Sequence, residues 1–154
     1  MRSLPVLLCL FLVVSCSNER YSDFWEEYKV EELQGKTSNH GSIGGSCVYY
    51  WEALGDRRFD AVEIIEFAAE NNWKYISTMA LKNWDSEHTE ASEIKGASIS
   101  RYFPKQINDA DSLLIFETNL LLFDPGTDES TQLNGFAIVS DSGKELTVYH
   151  MWGE

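Results

Sequence analysis

The chain has 154 residues, of which 44% are hydrophobic and 13% aromatic, which is enough for one domain with a packed core. It carries 25 acidic and 12 basic side chains, and this net charge of −13 excludes the clustered Lys and Arg that bind a nucleic-acid backbone. The same charge argues against adhesion of the body to anionic lipid.

The first sixteen residues have the plan of a secretory signal that ends at a cysteine. Arg2 precedes an apolar run over 4–14, which is too short to cross a bilayer as a mature helix. Val13-Val14-Ser15-Cys16 resembles the bacterial lipobox, in which aliphatic and small residues precede the cysteine. The resemblance implies that a lipoprotein signal peptidase removes residues 1–15 and that Cys16 is acylated.

Lipidation of Cys16 would tether the body to a membrane. Each buried methylene contributes about 0.8 kcal/mol, and stable residence needs more than one acyl chain. Residue 17 is Ser and not Asp, which by the sorting rule of enteric bacteria favours the outer membrane, on its periplasmic or surface side. Because Cys9 leaves with the signal, Cys47 stays unpaired, and the mature chain has neither an intrachain disulfide nor a Cys-rich zinc site.

The next part of the chain predicts a tether, a short helix and a loop. Residues 17–22 are polar. Asp23, with Glu26 three residues later, matches a capping box and predicts a short helix that Gly35 would end. Residues 36–46 are rich in Gly and Ser and predict a flexible loop before the folded body.

The body begins with a strand and the clearest helix of the chain. Residues 47–51 are β-branched and aromatic, which favours a strand. Asp60 is placed as an N-cap with Glu63 at the third helical position, and apolar residues then recur at helical spacing. These features predict a helix over 60–71, which two asparagines would end in the left-handed conformation.

Strands predominate in the rest of the body. Residues 73–81 and 113–118 predict strands, the second with little alternation, as expected for a strand covered on both faces. Residues 120–123 either continue the strand over 113–118 or start another strand. Residues 136–140 and 146–152 are joined by a Gly-containing turn and predict a C-terminal β-hairpin.

These elements predict an α+β fold, with one mainly antiparallel sheet, the principal helix over 60–71 packed on one face, and a C-terminal β-hairpin. We divide the chain into a signal peptide over 1–15, a segment over 16–45 with the lipidated cysteine, the tether and the short helix, and an α+β domain over 46–154. The sequence contains no internal repeat, as expected for one domain.

Part of the body resembles a small bacterial family of unknown function. Its members run strand, helix, a strand of the type Gly-Trp-Glu-Leu-Val-Ser, and a short Phe-rich strand. Residues 72–77 (NWKYIS) stand where that family has this motif, with Asn72 in place of Gly, and LLIFET at 113–118 stands for the last strand. The resemblance implies the fold, and no catalytic residue carries over from it.

Two segments are similar to segments of CHAP-type cell-wall amidases, which are cysteine hydrolases. GGSCVYYWEAL, with Cys47, resembles the nucleophile segment, where the cysteine opens a helix. NGFAIVSDSGKELTVYHMW resembles the segment that holds the histidine, but that position is Phe136 here, and phenylalanine cannot accept a proton. Of the three histidines, only His150 lies in a predicted strand. The hypothesis is a hydrolase with Cys47 as nucleophile and His150 as a displaced base; the alternative is a half-buried thiol at the start of a strand.

Several short acidic clusters raise the question of a metal site. One is DSEH at 85–88, and others lie at 109–111 and 124–129. None has the spacing of a calcium-binding EF-hand loop, and a solvated acidic surface accounts for such clusters in a chain this acidic. We therefore predict no metal site and no cofactor.

The many aromatic residues allow two interpretations. Exposed together, they would form a binding platform for a sugar or a protein; buried, they would fill the core of a small sheet domain. Trp84 and Tyr102, in the polar segment, are the candidates for a ligand-binding surface. The rings concerned are those of Trp51, Trp73, Trp84, Trp152, Tyr49, Tyr50, Tyr75, Tyr102 and Tyr149.

Together these features predict a lipid-anchored cell-envelope protein whose body is a non-catalytic binding or scaffolding module. Its partners would be the membrane, through Cys16, and an envelope protein or a glycan, but not nucleic acid. Two alternatives stay open. One is a degenerate CHAP-like cell-wall hydrolase that uses Cys47, and the other is a carbohydrate- or metal-binding surface lipoprotein.

Overall fold

A computed structural model describes residues 22–81, 111–123 and 128–153. Cys16, Trp84 and Tyr102 lie outside these ranges. The described chain forms six strands and one α-helix, after two short 3₁₀ turns at Asp23–Glu27 and Val30–Glu32. In chain order the elements are β1 (Leu33–His40), β2 (Gly44–Glu52), α1 (Ala61–Glu70), β3 (Lys74–Ala80), β4 (Ser112–Phe123), β5 (Ser130–Val139) and β6 (Glu145–Gly153).

The six strands form one open sheet in the order β1, β2, β6, β5, β4, β3, and every neighbouring pair is antiparallel. This arrangement confirms the predicted α+β fold with its C-terminal hairpin of β5 and β6. Gly143, in the turn of that hairpin, has a φ of 70°, a left-handed conformation that glycine adopts without strain.

Helix α1 begins and ends as its sequence predicts. The Asp60 side chain accepts hydrogen bonds from the backbone N–H groups of Val62 and Glu63, at 2.8 and 3.3 Å. These two bonds satisfy donors that have no partner inside the helix. At the other end Asn72 has a φ of 64°, the left-handed conformation that stops a helix. The chain then turns directly into β3.

The central strands of the sheet are buried on both faces. Strand β4 shows this most clearly, because four consecutive side chains, from Leu113 to Phe116, are all buried. Leu114 and Phe116 pack on the face that carries α1, while Leu113 and Ile115 pack on the opposite face. The lack of alternation in the sequence of this strand is thus explained by its two covered faces.

The N-terminal segment differs from its prediction. Residues 23–27 and 30–32 form two short 3₁₀ helices rather than one helix that continues to Gly35, and Lys29, with a φ of 39°, lies between them. Asp23 does not act as the N-cap of the first of these helices, because its carboxylate accepts a hydrogen bond from Lys36 Nζ at 2.6 Å. Trp25 is fully buried against Trp51 and Trp73, so this segment is part of the core.

The prediction of a loop over 36–46 is wrong for most of that range. Strand β1 runs to His40, and β2 starts at Gly44, earlier than the predicted strand. The reason lies in pairing: β1 forms a hairpin with β2 in which Lys36 lies opposite Tyr49 and Ser38 opposite Cys47. The side chains of β1 are largely exposed, as suits a strand at the sheet edge.

Two glycines inside strands make room for two tryptophans. A methyl group on Gly135 of β5 would come within 2.6 Å of Trp73 Cζ3, and one on Gly45 of β2 within 2.7 Å of Trp152 Cζ2. Glycine within a strand commonly marks such a close approach. Both indoles therefore lie almost on the sheet backbone.

We expect Gly135→Ala to lower the free energy of unfolding by about 1–3 kcal/mol, because the new methyl group would overlap the Trp73 ring in a buried site. Urea denaturation would measure the change.

Gly35→Ala is the matched control, since a methyl group there meets no atom within 4 Å. Its effect should stay within about 0.5 kcal/mol. Equal losses of stability in the two variants would contradict the proposed packing of Trp73 on Gly135.

Candidate functional site

The fold brings together Cys47 and His150, the two residues of the hydrolase hypothesis. Strand β2 pairs with β6 so that Cys47 lies directly opposite His150. Residues opposite each other in an antiparallel pair project on the same face, with Cβ atoms about 4.5–5.5 Å apart. This face is the one that carries α1, because Cys47 packs in the same core as Ile64 and Ala68 of the helix.

Both residues of the pair are buried, and two indole rings lie against the histidine. Cys47 is 3% exposed and His150 is fully buried. The imidazole of His150 contacts the indoles of Trp73 and Trp152, each with a centroid distance of 5.1 Å. Trp152 also contacts the exposed His40, at 5.4 Å. Since Trp73 and Trp152 lie where Gly135 and Gly45 make room, those two glycines permit the enclosure.

One edge of the His150 ring meets a buried polar network. Its Nε2 lies 3.4 Å from Thr118 Oγ1. The Thr118 hydroxyl donates to Asn134 Oδ1 at 2.6 Å, and the Asn134 amide donates to the carbonyl of Leu120 at 3.0 Å. Because the single hydroxyl hydrogen of Thr118 is used for Asn134, Thr118 Oγ1 can only accept from His150, which places the ring proton on Nε2.

The other ring nitrogen of His150 has no partner among residues 22–81, 111–123 and 128–153. Nδ1 is buried and makes no hydrogen bond to any of them, so in this tautomer it presents a free lone pair inside the protein. Burial lowers the pKa of His150 to about 3. The imidazole is therefore neutral at physiological pH, and it is a weak base because the charged imidazolium would lose its hydration.

These properties differ from those of a catalytic cysteine–histidine pair. A general base works best with a pKa near the operating pH, and a nucleophilic thiol needs a nearby positive charge or a helix N-terminus. Cys47 lies within a strand rather than at a helix start. Phe136, at the position of the histidine in the amidase segment, is buried in the core on the opposite face of the sheet.

Four of the nine aromatic residues singled out in the sequence lie in the core, and Tyr50 and Trp152 are partly buried. Trp51, Trp73, Tyr49 and Tyr149 are buried, which agrees with the core interpretation for these four. Tyr75, on the edge strand β3, is 38% exposed. The two residues predicted for a ligand surface, Trp84 and Tyr102, are outside the described ranges.

The acidic clusters form no metal centre in the part of the chain that the structure describes. Within residues 22–81, 111–123 and 128–153, no three His, Cys, Asp or Glu side chains converge in a group that could hold a metal ion. Residues 85–88, 109–110 and 124–127 lie outside these ranges, so the structure places none of the three acidic clusters in full.

Sequence reasoning missed the surroundings of the pair. It gave no role to Thr118 or Asn134, and it treated Trp73 and Trp152 only as members of an aromatic set. The signal in the sequence that could have located the two tryptophans was the glycine inside β2 and β5, because Gly45 and Gly135 mark close approach by another group.

No protein-family model, curated protein or solved structure matches this chain. The comparisons thus add no family, activity or partner to the sequence and the geometry. Within the described residues, no helix combines the length and apolar character needed to span a membrane.

We expect His150 to make the protein less stable as the pH falls below 6.5. The pKa of His150 is lowered to about 3 in the folded chain, whereas an unfolded histidine titrates near 6.5. Between these values only the unfolded chain binds this proton, so the free energy of unfolding should fall by about 1.4 kcal/mol per pH unit from this group.

Urea denaturation at pH 7.5, 6.5 and 5.5 would measure this dependence. This range lies above the pH at which most carboxylates titrate. In the His150→Gln variant, the part of this pH dependence that is due to His150 should be absent. An identical pH dependence in the two proteins would contradict a buried neutral imidazole.

Proposed function

We propose that this protein is a lipid-anchored cell-envelope protein whose body is a non-catalytic binding or scaffolding module. The proposal combines an anchor at Cys16, which the lipobox Val13-Val14-Ser15-Cys16 supports, with the small α+β domain. Ser17, which follows the anchor, favours the outer membrane.

The enclosure of Cys47 and His150 is the observation that carries the non-catalytic part of the proposal. Both side chains are buried, and Trp73 and Trp152 lie against the imidazole. A substrate would have to displace an indole to reach the thiol. The neutral imidazole would also offer no positive charge to stabilise a thiolate.

The alternative is a cell-wall hydrolase that uses Cys47. The register that sets Cys47 opposite His150 favours it, because a nucleophile and a base must be neighbours. Such an enzyme would need a rearrangement that exposes the thiol and solvates the imidazole. An assay for hydrolysis separates the two proposals directly.

For the anchor, we expect Cys16→Ala to move the protein from the membrane fraction to the soluble fraction and to abolish incorporation of labelled palmitate. The physical reason is that two or more acyl chains are needed for stable residence. Fractionation and mass spectrometry of the N-terminal peptide would measure both effects.

Ser17→Asp is the control for the anchor, expressed in an enteric host. It should keep the lipid but shift the protein from the outer to the inner membrane. A lipid-free N-terminus in the unchanged protein, or membrane retention of Cys16→Ala, would contradict the proposed anchor.

For the body, we expect the purified protein to release no soluble fragments from peptidoglycan, and Cys47→Ser to behave identically. The thiol is buried, so serine at this site should alter stability more than any surface property. Thermal unfolding would show that the variant is folded. Fragment release by the unchanged protein, lost in folded Cys47→Ser, would favour the hydrolase instead.

A further inference from the structure

A buried thiol and a buried nitrogen lone pair belong to neighbouring residues on two paired strands of the core. Cys47 and His150 are opposed in the β2–β6 register, and both are more than nine-tenths buried. Among the residues that the structure describes, His150 Nδ1 has no hydrogen-bond partner. A buried polar atom without a partner ordinarily costs about 1–3 kcal/mol, so its presence requires a physical explanation.

The contacts of the imidazole ring indicate where the free lone pair points. His150 Nε2 is directed toward Thr118 of β4, which lies on the far side of β5. The two nitrogens of an imidazole are not adjacent in the ring, so their lone pairs point in widely separated directions within the ring plane. Nδ1 is therefore directed away from Thr118, and β2 carries Cys47 on the same face of the sheet, on the side of β6 opposite to β5.

A two-coordinate metal ion needs its two donors at a short, fixed separation. In zinc sites the bonds to thiolate and imidazole are about 2.3 and 2.0 Å long, so donors that hold such a metal in line are roughly 4 Å apart. Cross-strand neighbours such as Cys47 and His150, with Cβ atoms about 4.5–5.5 Å apart, can reach this separation. Among the described residues none holds Nδ1 in a hydrogen bond that would have to be broken first.

We propose that Cys47 Sγ and His150 Nδ1 together bind one soft monovalent cation, Cu(I), in a two-coordinate site inside the protein. Thiolate is a soft ligand that selects Cu(I), and imidazole also suits copper. On binding, the S–H bond breaks and S–Cu and N–Cu bonds form. The thiol proton passes to solvent, and no oxidation state changes.

Charge favours a monovalent cation at this site over a divalent one. A thiolate, a neutral imidazole and Cu(I) sum to zero charge, so the complex can lie between Trp73 and Trp152 without a buried net charge. Zn²⁺ with the same ligands would leave a net positive charge. It also needs a tetrahedral set, and no third ligand group joins the pair among the described residues.

The route to the site leads past Trp152. This indole is only partly buried, and it lies between His150 and the exposed His40 at the end of the sheet. Beneath it Gly45 has no side chain, so movement of one ring opens the site without disturbing α1. The inference goes beyond the proposed function and does not depend on the lipid anchor.

The test uses the full chain with Cys9→Ser and Cys16→Ser, so that Cys47 is the only thiol. Titration with Ag(I), and with Cu(I) against a competing chelator, should show one equivalent bound with release of one proton. Cys47→Ser in this background should weaken binding at least 100-fold. His40→Asn, a histidine change on the same face, should leave the affinity within twofold.

Nuclear magnetic resonance of the histidine nitrogens makes the test independent of whether a His150 variant folds. The Nδ1 resonance of His150 should shift on addition of Ag(I), while that of His40 stays in place. Absence of stoichiometric binding, or binding that leaves His150 Nδ1 unchanged, would overturn the proposal. So would equal affinity in Cys47→Ser.

Discussion

The pairing of β2 with β6 is the constraint on which the rest of the structure depends. It joins residues about a hundred positions apart and connects the N-terminal hairpin to the strands that follow α1. Closing so long a loop costs conformational entropy. Burial along the seam offsets this cost, because Trp51 lies opposite Leu146 and Tyr49 opposite Val148. Each such side chain contributes about 1.5–3 kcal/mol when fully buried.

The same seam decides which chemistry the site can perform. The register makes Cys47 and His150 neighbours, but the burial that stabilises the seam also removes water from the imidazole. A neutral histidine beside a buried thiol is poor at proton transfer, yet its lone pair is well suited to bond a soft cation. Stability and the proposed chemistry therefore have one physical origin.

Local signals made much of the fold predictable. The cap at Asp60, the stop at Asn72 and the apolar spacing between them specify α1 without reference to the rest of the chain. Strand β1 was not predictable in this way, because its polar sequence becomes a strand only by pairing with β2. At the site, the residues around Cys47 predicted a strand. Its neighbour His150 is set by the sheet register, which the local sequence does not encode.

The buried N-terminal turn also bears on how an anchored body would be held. Trp25 packs in the core and Asp23 pairs with Lys36, so the fold holds the chain at Asp23. The seven residues from Cys16 to this point span at most roughly 25 Å when extended. A lipid at Cys16 would thus keep the domain close to the bilayer, where its excess of acidic side chains would be repelled by anionic headgroups. Attachment would then depend on the acyl chains alone, and the acidic surface would favour a cationic partner over the lipid itself.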